Sequence, residues 1–126
     1  MTTTTTTTTT TPATTTAPPM NPFTLVIPVF VYPSDDGDIA QAYLTLKDSA
    51  TSYPYVTHII AIKPNDGDDA TSEPNSDWAE VIDLFSGVPN VKLIGYVNTN
   101  FGDEGEEDEV KEEINGYHDN GWKVEG

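Results

Sequence analysis

The sequence of this 126-residue chain contains no cysteine, so it can form neither disulfide bonds nor thiolate metal sites. Basic residues are also scarce: 5 Lys and Arg stand against 21 Asp and Glu, for a formal net charge of −16. Because that charge repels phosphate groups, the composition predicts neither a nucleic-acid partner nor binding to an anionic membrane surface. Neutral and cationic ligands, including sugars and amino sugars, stay open.

Long apolar runs are missing as well, and so is a targeting segment. No run approaches the roughly 20 residues that a membrane-spanning helix needs. Met1 is followed directly by threonines, with neither a basic segment nor an apolar core. The chain as written is therefore predicted to carry no signal peptide.

The common catalytic and cofactor motifs are absent too. The sequence has no Gly-x-Gly-x-x-Gly, no phosphate-binding loop with Gly-Lys-Ser/Thr and no Gly-x-Ser-x-Gly elbow. His58 and His118 have no partner at metal-ligand spacing, and we interpret His58, within an apolar run, as a satisfied buried or rim residue. The sequence therefore predicts no metal site and no cofactor.

A threonine-rich segment opens the chain, and residues 1–20 consist almost wholly of Thr, Pro and Ala. It has almost nothing apolar to bury, so it cannot offset its ordering entropy and is predicted to be a disordered linker. Such tracts are typical of O-glycosylated stalks in secreted proteins, although a bare low-complexity linker fits the same composition. A stalk predicts an extracellular or cell-wall parent protein with a signal peptide further upstream, and hence a chain incomplete at its N-terminus.

Residues 21–126 have the pattern of one α/β domain. Short, β-branched apolar runs predict strands buried on both faces, at residues 25–32, 56–62 and 91–97. Apolar residues at helical spacing predict a helix after each strand, and Asp77 with Glu80 indicates a capping box at the second helix. Alternating strands and helices indicate βα units and a parallel sheet.

The spacing of the strands points to a barrel. They begin near residues 25, 57 and 91, a period of about 33. A (β/α)8 TIM barrel of about 250 residues has a repeat of about 31, so we predict a partial barrel of about three βα units. A fourth strand is expected to start in residues 122–126. Because an open barrel leaves unpaired edges and half a core, we expect this chain alone to be marginally stable or to aggregate.

Polar residues collect in the loops after the predicted strands, at residues 33–38, 63–69 and 98–103. In parallel α/β folds the carboxyl ends of the strands carry the active face, but Asp and Asn are also favoured as helix N-caps. Asp35, Asp66 and Asp103 are the nearest candidates for a general acid. All three lie in hydrophilic loops rather than in the apolar setting that such an acid needs.

Three stretches at the strand ends carry a family resemblance, namely residues 29–33, 62–67 and 91–102. They hold a Tyr-Pro pair after the first strand, a Pro-Asn-Asp-Gly turn after the second and a Gly-Tyr-Val-Asn-Thr-Asn-Phe-Gly run at the third. In this order and spacing the chain resembles the spherulin 4 (spherulation-specific family 4) proteins over residues 23–126. It departs from the family pattern at Lys63, Asp66 and Phe101, where Asn, Ser and Tyr are usual.

The resemblance implies a (β/α)8 barrel related to glycoside hydrolases, whose fungal members cleave secreted polysaccharide containing N-acetylgalactosamine. It also implies a catalytic Asp-Glu pair after the fourth strand. The chain stops at Gly126, before that position, so we assign no catalytic residue and interpret the chain as an N-terminal fragment. The candidate substrate-binding residues are Tyr32 and Tyr96, which could stack on sugar rings, and Asn65 and Asn98, which could bind hydroxyls.

Two functional hypotheses stay open, and both predict a polysaccharide or oligosaccharide partner. The parent protein is a secreted glycoside hydrolase truncated here before its catalytic acids, or it is a non-catalytic polysaccharide-binding protein of a cell wall or spore surface. A truncated gene model without a function of its own is a third possibility. Whether the chain is an enzyme therefore stays open at this level.

Overall fold

The structure is a computed structural model, and it describes residues 2–8, 22–64, 70–99, 102 and 106–125. Within the predicted linker, residues 2–8 have no regular secondary structure and are exposed. The rest of that segment, Met1 and residues 9–20, lies outside the described residues. The linker thus stays a prediction.

Strands and helices alternate along the chain as predicted, apart from one added hairpin. In chain order the elements are β1 (Phe23–Val29), β2 (Ser34–Asp35), β3 (Asp38–Ile39), α1 (Gln41–Ser52), β4 (Val56–Ile62), α2 (Ser76–Ser86), β5 (Val91–Gly95) and α3 (Glu107–Asp119). Strands β1, β4 and β5 form a parallel sheet in the order β1-β4-β5. The predicted parallel sheet and βα units are confirmed, and the fold is a partial βα repeat.

One face of the sheet packs against the helices. Ile60 and Ile62 on β4 and Leu93 on β5 are buried there, because side chains alternate between the two faces of a strand. Over them lies a chain of aromatic rings with centroid separations of 6.3, 5.8 and 5.7 Å, formed by Tyr43, Trp78, Trp122 and Tyr117. These edge-on contacts are the geometry that aromatic pairs prefer, and they make this cluster the centre of the core.

The predicted first strand ends three residues early, because a small hairpin follows it. Strands β2 and β3 pair antiparallel around a two-residue turn at Asp36 and Gly37, whose φ angles are +52° and +89°. Two successive positive φ angles are what tight hairpin turns need, and Asp-Gly is among the sequences that supply them. Pro28 is the second-last residue of β1.

The start of α2 also differs from the prediction. Asn75 is the N-cap, and its Oδ1 accepts a hydrogen bond of 3.0 Å from the backbone N–H of Trp78. The capping box placed on Asp77 and Glu80 is therefore wrong, and Asp77 lies in the first turn instead. None of the described helices is both long and apolar enough to cross a membrane.

The segment after α3 returns to the sheet beside β5. The backbone N–H of Glu125 donates to Leu93 O at 2.7 Å, and Val124 packs against the core. Nζ of Lys92 lies 3.2 Å from Oε2 of Glu125. Residues 122–125 form no regular strand, so the fourth strand stays a prediction that this backbone hydrogen bond supports.

Candidate functional site

The register of the sheet brings three side chains together at its carboxyl edge. Val29, Ile62 and Gly95, the last residues of β1, β4 and β5, are paired side by side. The next residues, Phe30, Lys63 and Tyr96, therefore form a row on the face turned away from the helices. We call these three residues the strand-end row. The backbone N–H of Tyr96 donates to Ile62 O at 2.8 Å and so extends the pairing of β4 with β5 beyond the strands.

The side chains of the strand-end row touch one another above the central strand. The ring centroids of Phe30 and Tyr96 are 5.1 Å apart at an interplanar angle of 71°. Nζ of Lys63 lies 5.6 Å from the centroid of the Tyr96 ring, within the range of a cation–π interaction. Phe30 is 57% exposed and Tyr96 is 37% exposed. The row is thus an open aromatic surface with a cation beside it.

A buried tyrosine holds this edge in place from the helix side. Tyr117 on α3 directs its hydroxyl to Tyr96 O at 3.0 Å and to Ile62 O at 3.3 Å. Its ring occupies the space beside Gly95, where an added Cβ would lie 2.5 Å from the ring. Burial, followed by the negative charge of Glu113, raises the pKa of Tyr117 well above its ordinary value. The phenol therefore stays neutral and able to donate.

Tyr32, predicted with Tyr96 to stack on sugar rings, has a different setting. Its hydroxyl accepts a hydrogen bond of 3.1 Å from Nδ2 of Asn75, the N-cap of α2. Tyr32 is half-buried, and this bond ties it to the start of a helix. The structure thus pairs Tyr96 with Phe30 rather than with Tyr32.

The two predicted asparagines are placed unequally. Asn98 is exposed and lines a pocket of about 330 Å³ together with Glu106, Glu109, Val110 and Glu113. Asn65 lies outside the described residues, as do Asp66 and Asp103 among the candidate acids. The substrate-binding role of Asn65 therefore stays a prediction.

None of the described carboxylates is buried. Every described Asp and Glu is exposed or half-buried, Asp35 among them, and the buried polar residue of this part of the chain is His58. A general acid of a glycoside hydrolase needs an environment that favours its protonated form. Within the described ranges, moreover, no three His, Asp or Glu side chains come together as a metal site would require.

Comparison with known proteins identifies the chain's relatives. The family model described as Spherulation-specific family 4 matches residues 24–126. The chain belongs to this family. A solved structure, that of Aspergillus clavatus Sph3 in complex with GalNAc, superposes with a TM-score of 0.61 at 27% sequence identity. The match covers 75% of this chain but 35% of the Sph3 chain, and no curated protein sequence matches this one.

In this spherulation-specific family 4 protein, the strand-end row contains two residues that the sequence pattern did not indicate as candidates for ligand binding, Phe30 and Lys63. In the sequence, Phe30 belongs to an apolar run that predicts a strand, and Lys63 is a departure from the family pattern. The signal that could have found them is positional, because each directly follows the last paired residue of its strand. Recognising that position required the register, which an apolar run does not define.

Proposed function

We propose that this chain is part of a secreted, carbohydrate-active protein that binds polysaccharide at the carboxyl edge of its sheet. The observation that carries the proposal is its likeness to Sph3, whose structure contains GalNAc, over 75% of this chain. Polysaccharide containing N-acetylgalactosamine is accordingly the proposed ligand. Phe30 and Tyr96 support it, because exposed aromatic rings offer apolar faces to sugar rings.

Hydrolysis by the parent protein is the favoured activity, with catalytic carboxylates supplied by sequence other than the described residues. The chain spans 35% of the length of Sph3, so most of a barrel of that size lies beyond the matched part. In this scheme the chain contributes substrate contacts at the mouth of the barrel, and the remaining strands close it and bring the acids. Secretion to the extracellular space or cell wall is proposed on the threonine-rich segment.

A second candidate is a non-catalytic polysaccharide-binding protein of a cell wall or spore surface. It is supported by the same exposed aromatic surface together with the absence of a buried carboxylate among the described residues. Incubation of the full-length parent protein with an N-acetylgalactosamine polysaccharide separates the two candidates. Release of new reducing ends supports hydrolysis by the parent protein, whereas retention without release supports binding alone.

The binding surface is tested by removing its rings. We expect Tyr96→Ala and Phe30→Ala each to weaken retention on the insoluble polysaccharide by about 5- to 30-fold, since one stacked ring contributes about 1–2 kcal/mol. Tyr53→Ala is the matched control, because Tyr53 is an exposed tyrosine at the opposite, amino end of β4. Equal retention of all three variants and the unaltered chain, or no retention of the unaltered chain, would overturn the proposed site.

A further inference from the structure

Lys63 differs from the other described lysines in its contact with an aromatic ring. Three lysines are paired with carboxylates at 3.2, 2.8 and 3.8 Å, namely Lys92 with Glu125, Lys111 with Glu107 and Lys123 with Asp83. Lys47 and Lys63 have no carboxylate within ion-pair distance among the described residues, but Nζ of Lys63 lies over the Tyr96 ring. Lys63 is half-buried, and an ammonium on a ring face keeps N–H donors directed away from the ring.

The position of this cation within the row makes it available to a bound ligand. Lys63 follows the central strand of the sheet, with Phe30 on one side and Tyr96 on the other. The contact between the two rings spans the strand on which Lys63 lies. A sugar ring resting on these aromatic faces would bring its ring substituents close to Nζ of Lys63.

The chemistry of the substituent then decides the affinity. A hydroxyl can accept a hydrogen bond from the ammonium, but a carboxylate adds the attraction between opposite charges to that hydrogen bond. A protonated amine on the sugar would be repelled. We propose that the strand-end row is a subsite for a sugar carrying a carboxylate, a uronic acid residue, with Lys63 as the group that recognises the acid.

This inference rests on the proposed function, to which it adds a selectivity for charge. The net charge of −16 repels an acidic polysaccharide at long range. At physiological salt, however, exposed charges more than about 8 Å apart are largely screened. Selectivity at the row therefore depends on the local cation, and its removal leaves a surface that favours neutral sugars.

The test compares polygalacturonate with the same polymer after chemical reduction of its carboxyl groups. These two ligands share ring, linkage and length and differ in the acid. We expect the unaltered chain to bind polygalacturonate about tenfold more tightly in calorimetry, the gain of one charge-assisted contact. Lys63→Met, which keeps the apolar stem, removes the preference, and Lys63→Arg retains it. Lys47→Met on α1 is the control and leaves it unchanged.

The possible outcomes distinguish the acid subsite from the proposed function on which it rests. The acid subsite would be overturned by equal binding of polygalacturonate and its reduced form, or by an unchanged preference in Lys63→Met. Tighter binding of N-acetylgalactosamine polysaccharide that has been deacetylated, and is therefore cationic, would overturn it as well. Binding of neutral N-acetylgalactosamine polysaccharide would in those cases still support the proposed function. Failure to bind any of these polymers would overturn both. The comparison of the two polymers uses the unaltered chain, so it does not depend on the folding of a variant.

Discussion

At the scale of single residues, His58 shows how a polar side chain is accommodated in this core. It is 1% exposed, with Nδ1 3.0 Å from Val56 O and Nε2 3.2 Å from Oγ of Ser49. Since a carbonyl oxygen accepts only, Nδ1 carries the proton, and Nε2 accepts from the Ser49 hydroxyl. The interpretation of His58 as a satisfied buried residue is confirmed. Its partners could not be read from the sequence, because Ser49 lies on α1 and reaches it through packing.

Tyr43 provides the residue-scale prediction, a loss of stability at alkaline pH. Its hydroxyl donates to Val31 O at 2.6 Å, and burial raises its pKa to about 12. In the unfolded chain a tyrosine ionises near pH ~10, so the unfolded state releases this proton first. The stabilisation is complete below pH ~10 and is lost as the pH rises toward 12.

Urea denaturation at several pH values between 8 and ~12 measures this loss. Tyr43→Phe should be less stable at neutral pH by about 1 kcal/mol, the contribution of one hydrogen bond, and should show a shallower decline above pH ~10. Tyr53→Phe, at an exposed position, serves as the control. Parallel declines in the unaltered chain and in Tyr43→Phe would contradict the assignment to Tyr43.

At the scale of elements, the contact between β5 and α3 decides where the strand-end row lies. Gly95 ends β5, and the Tyr117 ring fills the space that a side chain there would need. Gly116, next to Tyr117 on α3, also has no room for a side chain, because it packs against the backbone of Ala70 and Thr71. The absence of side chains at these two glycines allows α3 to approach the sheet and Tyr117 to reach the end of β4.

The element-scale prediction is that Gly95→Ala disturbs both stability and binding. A Cβ at this position would lie 2.5 Å from the Tyr117 ring, which must move and release its bond to Tyr96 O. We expect the free energy of unfolding to fall by about 1–3 kcal/mol, as for other overpacked sites, and polysaccharide binding to weaken.

Gly87→Ala, at the C-cap of α2, is the control for Gly95→Ala. A Cβ on Gly87 meets nothing within 4 Å, and its φ of −96° suits any residue. Chemical denaturation and polysaccharide retention should be nearly unchanged in that variant. A stability of Gly95→Ala equal to that of Gly87→Ala would show that the Tyr117 ring does not constrain the strand end.

At the scale of the whole molecule, the described sheet is covered on one face only. Val26 is 63% exposed and lies on the face opposite the helices. It is on the same side of β1 as Phe30, four residues earlier in the chain. Parallel sheets occur almost only with both faces buried. In a closed barrel this face is the interior, so the proposed parent protein would cover it with further strands.

Self-association of the purified chain is the prediction at this scale. Exposed apolar side chains on an open sheet favour contacts between copies. We expect light scattering to show oligomers or aggregates at micromolar concentration, and Val26→Lys to reduce them. Ile114→Lys, at an exposed apolar position on α3, is the control with little expected effect. A monomer with a cooperative thermal melt would contradict the prediction.

The alternation of strands and helices could be predicted because it depends on local periodicity. Apolar residues such as Trp78, Val81 and Phe85 repeat at helical spacing, and short β-branched runs such as β4 are bounded by turn residues. The hairpin of β2 and β3 was missed, since two-residue strands are too short to show a period. The cap at Asn75 was missed because several polar residues precede α2, and the backbone conformation selects among them.

The sequence by itself determined the βα order and the family, because these depend on residue type and spacing along the chain. The tertiary structure alone decided that Phe30, Lys63 and Tyr96 meet, since they are more than 30 residues apart in sequence and only the register Val29–Ile62–Gly95 aligns them. It also separated Tyr32 from that row, by bonding its hydroxyl to Asn75. Register is fixed by packing over the whole sheet, which is why local pattern could not supply it.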